Sequence, residues 1–149
     1  MTREEFIKEL DKSNYSYRIE GNKIVVTNKM GVNLNSLTSL PSGVVFKNGG
    51  NVYLSSLTSL PPGVEFINKC DVSLLSLKSL PTGVVFGNKG NIYFVSLTSL
   101  SIGSEFKNGG NAYLESLTGD WFNNWKGNIE GVDSKRLLNK MISLGLFER

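Results

Sequence analysis

Residues 43–61, GVVFKNGGNVYLSSLTSLP, return almost verbatim at a fixed step of 20 residues. GVVF at 43–46 recurs as GVEF at 63–66, GVVF at 83–86 and GSEF at 103–106. SLTSL at 36–40 recurs at 56–60, as SLKSL at 76–80, and again at 96–100. A step this strict, with no insertion, predicts a solenoid whose coils are all the same length and pack on their neighbours.

The columns of the repeat predict the secondary structure. Val32, Val52, Val72, Ile92 and Ala112 form one apolar column, and Leu34, Leu54, Leu74, Phe94 and Leu114 form another two residues on. The positions between and after them vary: Asn33, Tyr53, Ser73, Tyr93, Tyr113, then Asn35, Ser55, Leu75, Val95, Glu115. Fixed apolar positions alternating with variable ones mark a strand with one buried face. A second strand follows, with Val44, Val64, Val84 and Phe46, Phe66, Phe86, Phe106 facing in. Its outward positions carry Val45, Glu65, Val85 and Glu105, then Lys47, Ile67, Gly87 and Lys107.

The fold expected is therefore mainly β: a parallel β-solenoid of about five 20-residue coils, two strands per coil. Pro41, Pro61 and Pro81 with Gly43, Gly63, Gly83 and Gly103 mark one set of corners, and Gly/Lys/Asn clusters mark another. The segment 57–60 is too short for a helix and predicts an extended or 3₁₀-like corner. Asn28, Asn48, Asn68, Asn88, Asn108 and Asn128 form one invariant polar column, and Ser36, Ser56, Ser76, Ser96 and Ser116 another. Stacked amides can bond each other and the corner backbone groups that the ladder leaves unpaired, so these columns read as structural.

The ends differ from the repeats. Thr2 and Glu5 have capping-box spacing ahead of a short amphipathic helix to Lys12, with Phe6, Ile7 and Leu10 on one face. Gly21-Asn22 supplies the turn of a hairpin between 15–19 and 23–27. Residues 1–22 are thus an N-terminal helix and hairpin cap, 23–120 the solenoid, and 121–149 a C-terminal cap, all within one domain. That last segment places Trp121, Phe122 and Trp125 where a corner and strand should be, followed by a helix from about 134 to 144 that Asp133 caps.

Composition narrows the chemistry. Of 149 residues, 19% are charged and 40% apolar, a globular balance, and the net charge of +3 is mildly basic. A single cysteine, Cys70, forbids an intrachain disulfide and fits a reducing compartment. The start, MTREEFIKEL, has no apolar run and no stretch approaches a membrane span, so a cytoplasmic location without membrane association is expected. Histidine is absent, which removes histidine-activated nucleophiles and histidine metal sites. Carboxylates are few: Glu65 and Glu105 lie two coils apart, Asp71 and Asp120 read as isolated turn residues, and Cys70 replaces Gly50, Gly90 and Gly110. Neither catalytic residues nor metal ligands nor a cofactor site is expected, and the protein is read as a non-enzymatic interaction module.

Three surfaces are candidates for that interaction. Tyr53, Tyr93 and Tyr113 with Leu75, Val95 and Glu115 form an outward face suited to a protein partner, although tyrosines also simply suit strand surfaces. Val45, Ile67 and Val85 with Glu65, Lys47 and Lys107 form a second face suited to a homodimer. Lys29, Lys47, Lys69, Lys89, Lys107 and Lys126 fall in one corner region, a basic edge that either contacts nucleic acid or only protects the edge from aggregation.

The string L-T-S-L-P at 57–61 resembles bacterial leucine-rich repeat proteins. Their pattern, L-x-x-L-x-L-x-x-N-x-L, sets an asparagine three residues after the strand's last leucine. That place is Leu57 here, and the asparagines instead follow the phenylalanine strand. The whole unit is similar to short repeat proteins encoded by bacteria and their phages, and GNIEGVDSKRLLNKM at 127–141 resembles a recurrent C-terminal cap of such proteins. The resemblance covers about 23–149 and carries no active-site residues. It implies a phage-encoded inhibitor of a host protein, such as a defence protein; the alternative to an interaction module, besides nucleic-acid binding, is a purely structural, self-assembling protein.

Overall fold

The computed structural model describes residues 1–81, 83–98 and 105–113. The aromatic residues of 121–125, the expected helix at 134–144, Glu115, Lys126 and Asn128 lie outside the described residues.

Each coil contributes two short strands to two separate sheets. After helix α1 (Arg3–Lys12) come β1 (Tyr17–Glu20), β2 (Lys23–Val26), β3 (Val32–Asn33), β4 (Val44–Phe46), β5 (Val52–Tyr53) and β6 (Glu65–Phe66). The series continues with β7 (Val72–Ser73), β8 (Val85–Phe86), β9 (Ile92–Tyr93), β10 (Glu105–Phe106) and β11 (Ala112–Tyr113). One sheet runs β1-β2-β4-β6-β8-β10 and the other β3-β5-β7-β9-β11. Apart from the antiparallel pair β1–β2, every pairing is parallel and joins residues 20 apart, such as Phe46 with Phe66 and Tyr53 with Ser73. The expected parallel β-solenoid is the fold observed.

Strands this short are held by what stands between the sheets. The Val32/52/72 and Leu34/54/74 columns from one sheet meet the Val44/64/84 and Phe46/66/86/106 columns from the other, all within one buried cluster. Because the ladder fixes the step, the phenylalanines stack with their planes parallel. Centroids lie 5.3 Å apart from Phe46 to Phe66, 5.1 Å from Phe66 to Phe86 and 5.1 Å from Phe86 to Phe106, with planes within 6° of parallel. Phe94, standing in the leucine column, meets Phe86 and Phe106 edge-on at 5.8 and 6.3 Å. Both geometries are favourable for aromatic pairs.

The corners follow the sequence signals. The Leu37, Leu57 and Leu77 amides bond back to the carbonyls of Leu34, Leu54 and Leu74, one tight turn per coil and no helix. After the prolines, Gly43, Gly63 and Gly83 take φ of 80°, 82° and 79°. That left-handed backbone is open to glycine without strain, which explains the fixed G of G-V-x-F.

The asparagine column is buried at Asn48, Asn68, Asn88 and Asn108. Each Nδ2 donates to carbonyls two and three residues on and to a corner carbonyl of the coil below; Asn68, for example, meets Cys70 O, Asp71 O and Gly50 O at 3.1–3.2 Å. The amides thus bond the corner backbone, while the four buried Oδ1 atoms have no hydrogen-bond partner. The serines work similarly, Ser56 Oγ donating to the Asn35 carbonyl and Ser76 Oγ to the Ser55 carbonyl.

The N-terminal cap closes the first coil in three ways. Phe6 and Leu10 of α1 are buried in the core cluster. Strand β1 covers the edge of β2, and the Tyr15 hydroxyl accepts from the Asn33 amide at 2.9 Å, covering the edge of β3. The helix start is the expected capping box, with Thr2 Oγ1 accepting from the Glu5 amide at 3.1 Å and Glu5 Oε1 accepting from the Thr2 amide at 3.3 Å. Hydrogen bonds from Thr2 to the carboxylate itself, from the side-chain hydroxyl first and then the backbone amide, hold the Glu5 carboxyl below its ordinary pKa. A depressed carboxyl favours folding above its unfolded pKa, so this contribution is lost as pH falls through the folded value. Thr2→Ala is expected to cost about 1 kcal/mol in thermal denaturation and to weaken that acid sensitivity, since the backbone amide at position 2 still donates to Glu5.

One expected surface differs. Val45 is 5% exposed and Val85 half-buried, so they do not form an apolar outward patch with Ile67. Lys23 reaches Glu65 across two coils, Nζ to Oε2 3.2 Å, which carries its stem past the level of Val45. A long lysine stem covers apolar surface while its charge stays in water.

Candidate functional site

The outward face of the β3-β5-β7-β9-β11 sheet gathers the tyrosine candidates. Val52, Val72, Ile92 and Ala112 point into the core, so the next residues, Tyr53, Ser73, Tyr93 and Tyr113, point out in one parallel column. Tyr93 and Tyr113 stack with centroids 5.0 Å apart and planes 6° from parallel. Two residues further on stand Leu75 and Val95, 37% and 65% exposed, beside Tyr53 at 38%. The three tyrosines thus share one column, while Leu75 and Val95 follow just beyond the ends of β7 and β9; Glu115 lies outside the described residues.

The rings are anchored by a ladder that sequence reasoning missed. Asn51 Oδ1 accepts from the Asp71 amide at 2.9 Å, Asp71 Oδ1 from the Asn91 amide at 2.7 Å, and Asn91 Oδ1 from the Asn111 amide at 2.8 Å. Each side chain thereby holds the corner of the coil above. The remaining amide nitrogens turn to the tyrosines, Asn51 Nδ2 donating to Tyr53 Oη at 2.8 Å and Asn91 Nδ2 to Tyr93 Oη at 3.1 Å. Asp71 is consequently a rung of a ladder and not an isolated turn residue. The signal was present in the column Asn51, Asp71, Asn91, Asn111, whose members share a side-chain acceptor in one geometry.

The lysine edge is also assembled. Lys29, Lys47, Lys69, Lys89 and Lys107 are all exposed, one on each successive coil. They occupy two positions two residues apart, Lys29, Lys69 and Lys89 at one and Lys47 and Lys107 at the other, and the switch has a steric cause at its glycines. A Cβ at Gly49 would lie 2.1 Å from the Lys29 carbonyl oxygen, and one at Gly109 2.5 Å from that of Lys89. In those two coils the lysine stands two residues earlier, at Lys47 and Lys107. Among the described residues the ion pairs are Arg18 with Glu20 and Lys23 with Glu65, so neither involves Lys29, Lys47, Lys69 or Lys89.

Cys70 is half-buried, its Sγ 3.9 Å from the Gly49 carbonyl oxygen. Among the described residues no three or more acidic or cysteine side chains cluster as a metal site, and no helix is long and apolar enough to cross a membrane. Comparison with protein-family models, with curated proteins and with solved structures gives no match.

Proposed function

We propose that the protein is a non-enzymatic protein-interaction module that recognises its partner through the outward face of the five-stranded sheet. The observation that carries this reading is the outward column of Tyr53, Tyr93 and Tyr113 on one sheet, with Leu75 and Val95 exposed two residues beyond it, Val95 at 65%. Tyrosines are common interface anchors, and here their hydroxyls are fixed before any partner arrives, which lowers the entropy lost on binding. Action as a phage-encoded inhibitor of a host protein, in the host cytoplasm, belongs to the same proposal and is supported by the sequence resemblance alone.

Affinity capture from the native host's lysate supplies the partner, and Val95→Glu supplies the test. The exposed site tolerates the change within about 0.5 kcal/mol of stability. A charge set into the proposed interface is expected to weaken the captured partner's binding about 100-fold. Unchanged binding by Val95→Glu and Leu75→Glu together would show that this face is not the recognition surface.

The lysine edge supports a second reading, binding of nucleic acid, because one cation per coil is kept although its position must shift around Gly49 and Gly109. Here fluorescence anisotropy with labelled single- and double-stranded DNA is expected to show affinity that falls steeply between about 50 and 200 mM salt. Absence of a salt-dependent signal would dispose of that reading.

A further inference from the structure

The tyrosine column is interrupted at one rung. Tyr53, Tyr93 and Tyr113 carry rings, but β7, between β5 and β9, carries Ser73. A filled step of this column sets rings 5.0 Å apart, as Tyr93 and Tyr113 show. Two steps of strand spacing therefore leave about 10 Å between the levels of Tyr53 and Tyr93. A ring centred at the level of Ser73 would sit about 5 Å from each neighbour, inside the range in which aromatic pairs attract.

The anchor beneath that gap is altered to match. Asn51 and Asn91 each use Oδ1 to accept from the coil above and Nδ2 to donate to their own tyrosine hydroxyl. Asp71 uses Oδ1 in the same way, accepting from the Asn91 amide. By analogy with the amide nitrogens of Asn51 and Asn91, its Oδ2 is the atom left for the place beside Ser73, which carries no phenol to meet it. So the rung that lacks a ring also offers an acceptor where the filled rungs offer a donor. Leu75 and Val95 provide exposed apolar contact alongside.

We propose that the gap over Ser73, between Tyr53 and Tyr93, is a slot for one hydrogen-bond-donating aromatic side chain, a tryptophan or tyrosine of a protein partner, whose N–H or O–H donates to Asp71. This deepens the interaction reading above and rests on it. The negative charge of Asp71 selects a donor and disfavours a phosphodiester chain, and the flanking Leu75 and Val95 suit an apolar peptide neighbour.

The test titrates the full chain with N-acetyl-tryptophanamide, N-acetyl-tyrosinamide, N-acetyl-phenylalaninamide and adenosine, following the Tyr53 and Tyr93 ring resonances by NMR. Saturable shifts are expected with the indole and phenol probes, and binding about tenfold weaker with the phenylalanine probe, which cannot donate. Two variants keep the fold because they install what neighbouring coils already carry. Ser73→Tyr fills the slot from within and is expected to abolish binding of all three amino-acid probes. Asp71→Asn faces the indole with a donor and is expected to weaken the tryptophan probe about tenfold while the phenol, which can also accept, keeps its affinity.

Absence of saturable shifts, shifts unaffected by Ser73→Tyr, or adenosine binding tighter than the indole would each overturn the slot. Failure of the wider reading looks different. If the probes bind as expected but the captured partner ignores both Ser73→Tyr and Val95→Glu, the slot binds rings while the interaction face is wrong. If Val95→Glu releases the partner and Ser73→Tyr does not, the face stands and the slot as its anchor falls.

Discussion

Asn68→Asp, an exchange of one amide nitrogen for oxygen, is expected to destabilise the solenoid by about 4 kcal/mol or more at neutral pH. Asn68 is fully buried, and its Nδ2 lies within 3.1–3.2 Å of the carbonyl oxygens of Gly50, Cys70 and Asp71. A carboxylate there turns a donor among three acceptors into a fourth acceptor bearing charge. Folding must keep the group protonated, and the acid O–H satisfies only one of the three. The folded pKa is then raised above the ordinary aspartate value of about 3.9, so the folded state holds the proton that the unfolded state releases. Stability relative to the parent therefore falls as pH rises through that value and beyond.

Asn68→Leu separates the charge from the lost hydrogen bonds. The Asp71 carbonyl also accepts from the Val52 amide, and the Cys70 carbonyl from the Gly90 amide, so neither is fully orphaned. Leucine also removes the unpartnered Oδ1. A loss of about 2–4 kcal/mol, independent of pH, is expected. Urea denaturation of both variants in acid and at neutral pH decides the matter, and an Asn68→Asp protein as stable as the parent at neutral pH would refute the proposed role of the column.

Phe66→Ala carries the other large effect, about 3–5 kcal/mol. Phe66 is flanked on both sides, by Phe46 at 5.3 Å and Phe86 at 5.1 Å. Its neighbours cannot close the gap, because both are held at their own levels by ladders in two sheets. The site therefore keeps most of its cavity, which is the condition under which such truncations cost most. Phe66→Leu is expected to recover most of the loss by refilling the volume. Equilibrium denaturation with guanidinium measures both, and a Phe66→Ala cost below about 1 kcal/mol would mean that adjacent coils collapse onto the gap and are not spaced by their ladders.

The contrast between Val45 and Asn68 shows how far the sequence could be read. The asparagine was legible because an invariant polar residue in a varying environment has one economical explanation, a corner that needs donors. Val45 was not, because its burial depends on its surroundings in the folded sheet, where the Lys23–Glu65 pair spans the strand that carries Val45, residues 42 apart that no periodicity connects. The tyrosine face was legible as a set of outward positions. Its anchoring was not, since Asn51 and Tyr53 meet only when the strand sets both side chains on the same outer surface.

The 20-residue step by itself determined the coil length, the in-register parallel pairing, the inward columns and the glycine corners. It could do so because a repeat places chemically equal residues at equal heights, and equal residues stack. Tertiary structure alone decided where the repeat is broken to effect. Ser73 and Asp71 are two unremarkable substitutions in the sequence. They become one feature only when β7 lies between β5 and β9, so that a missing ring and an added acceptor fall at the same place between two anchored tyrosines.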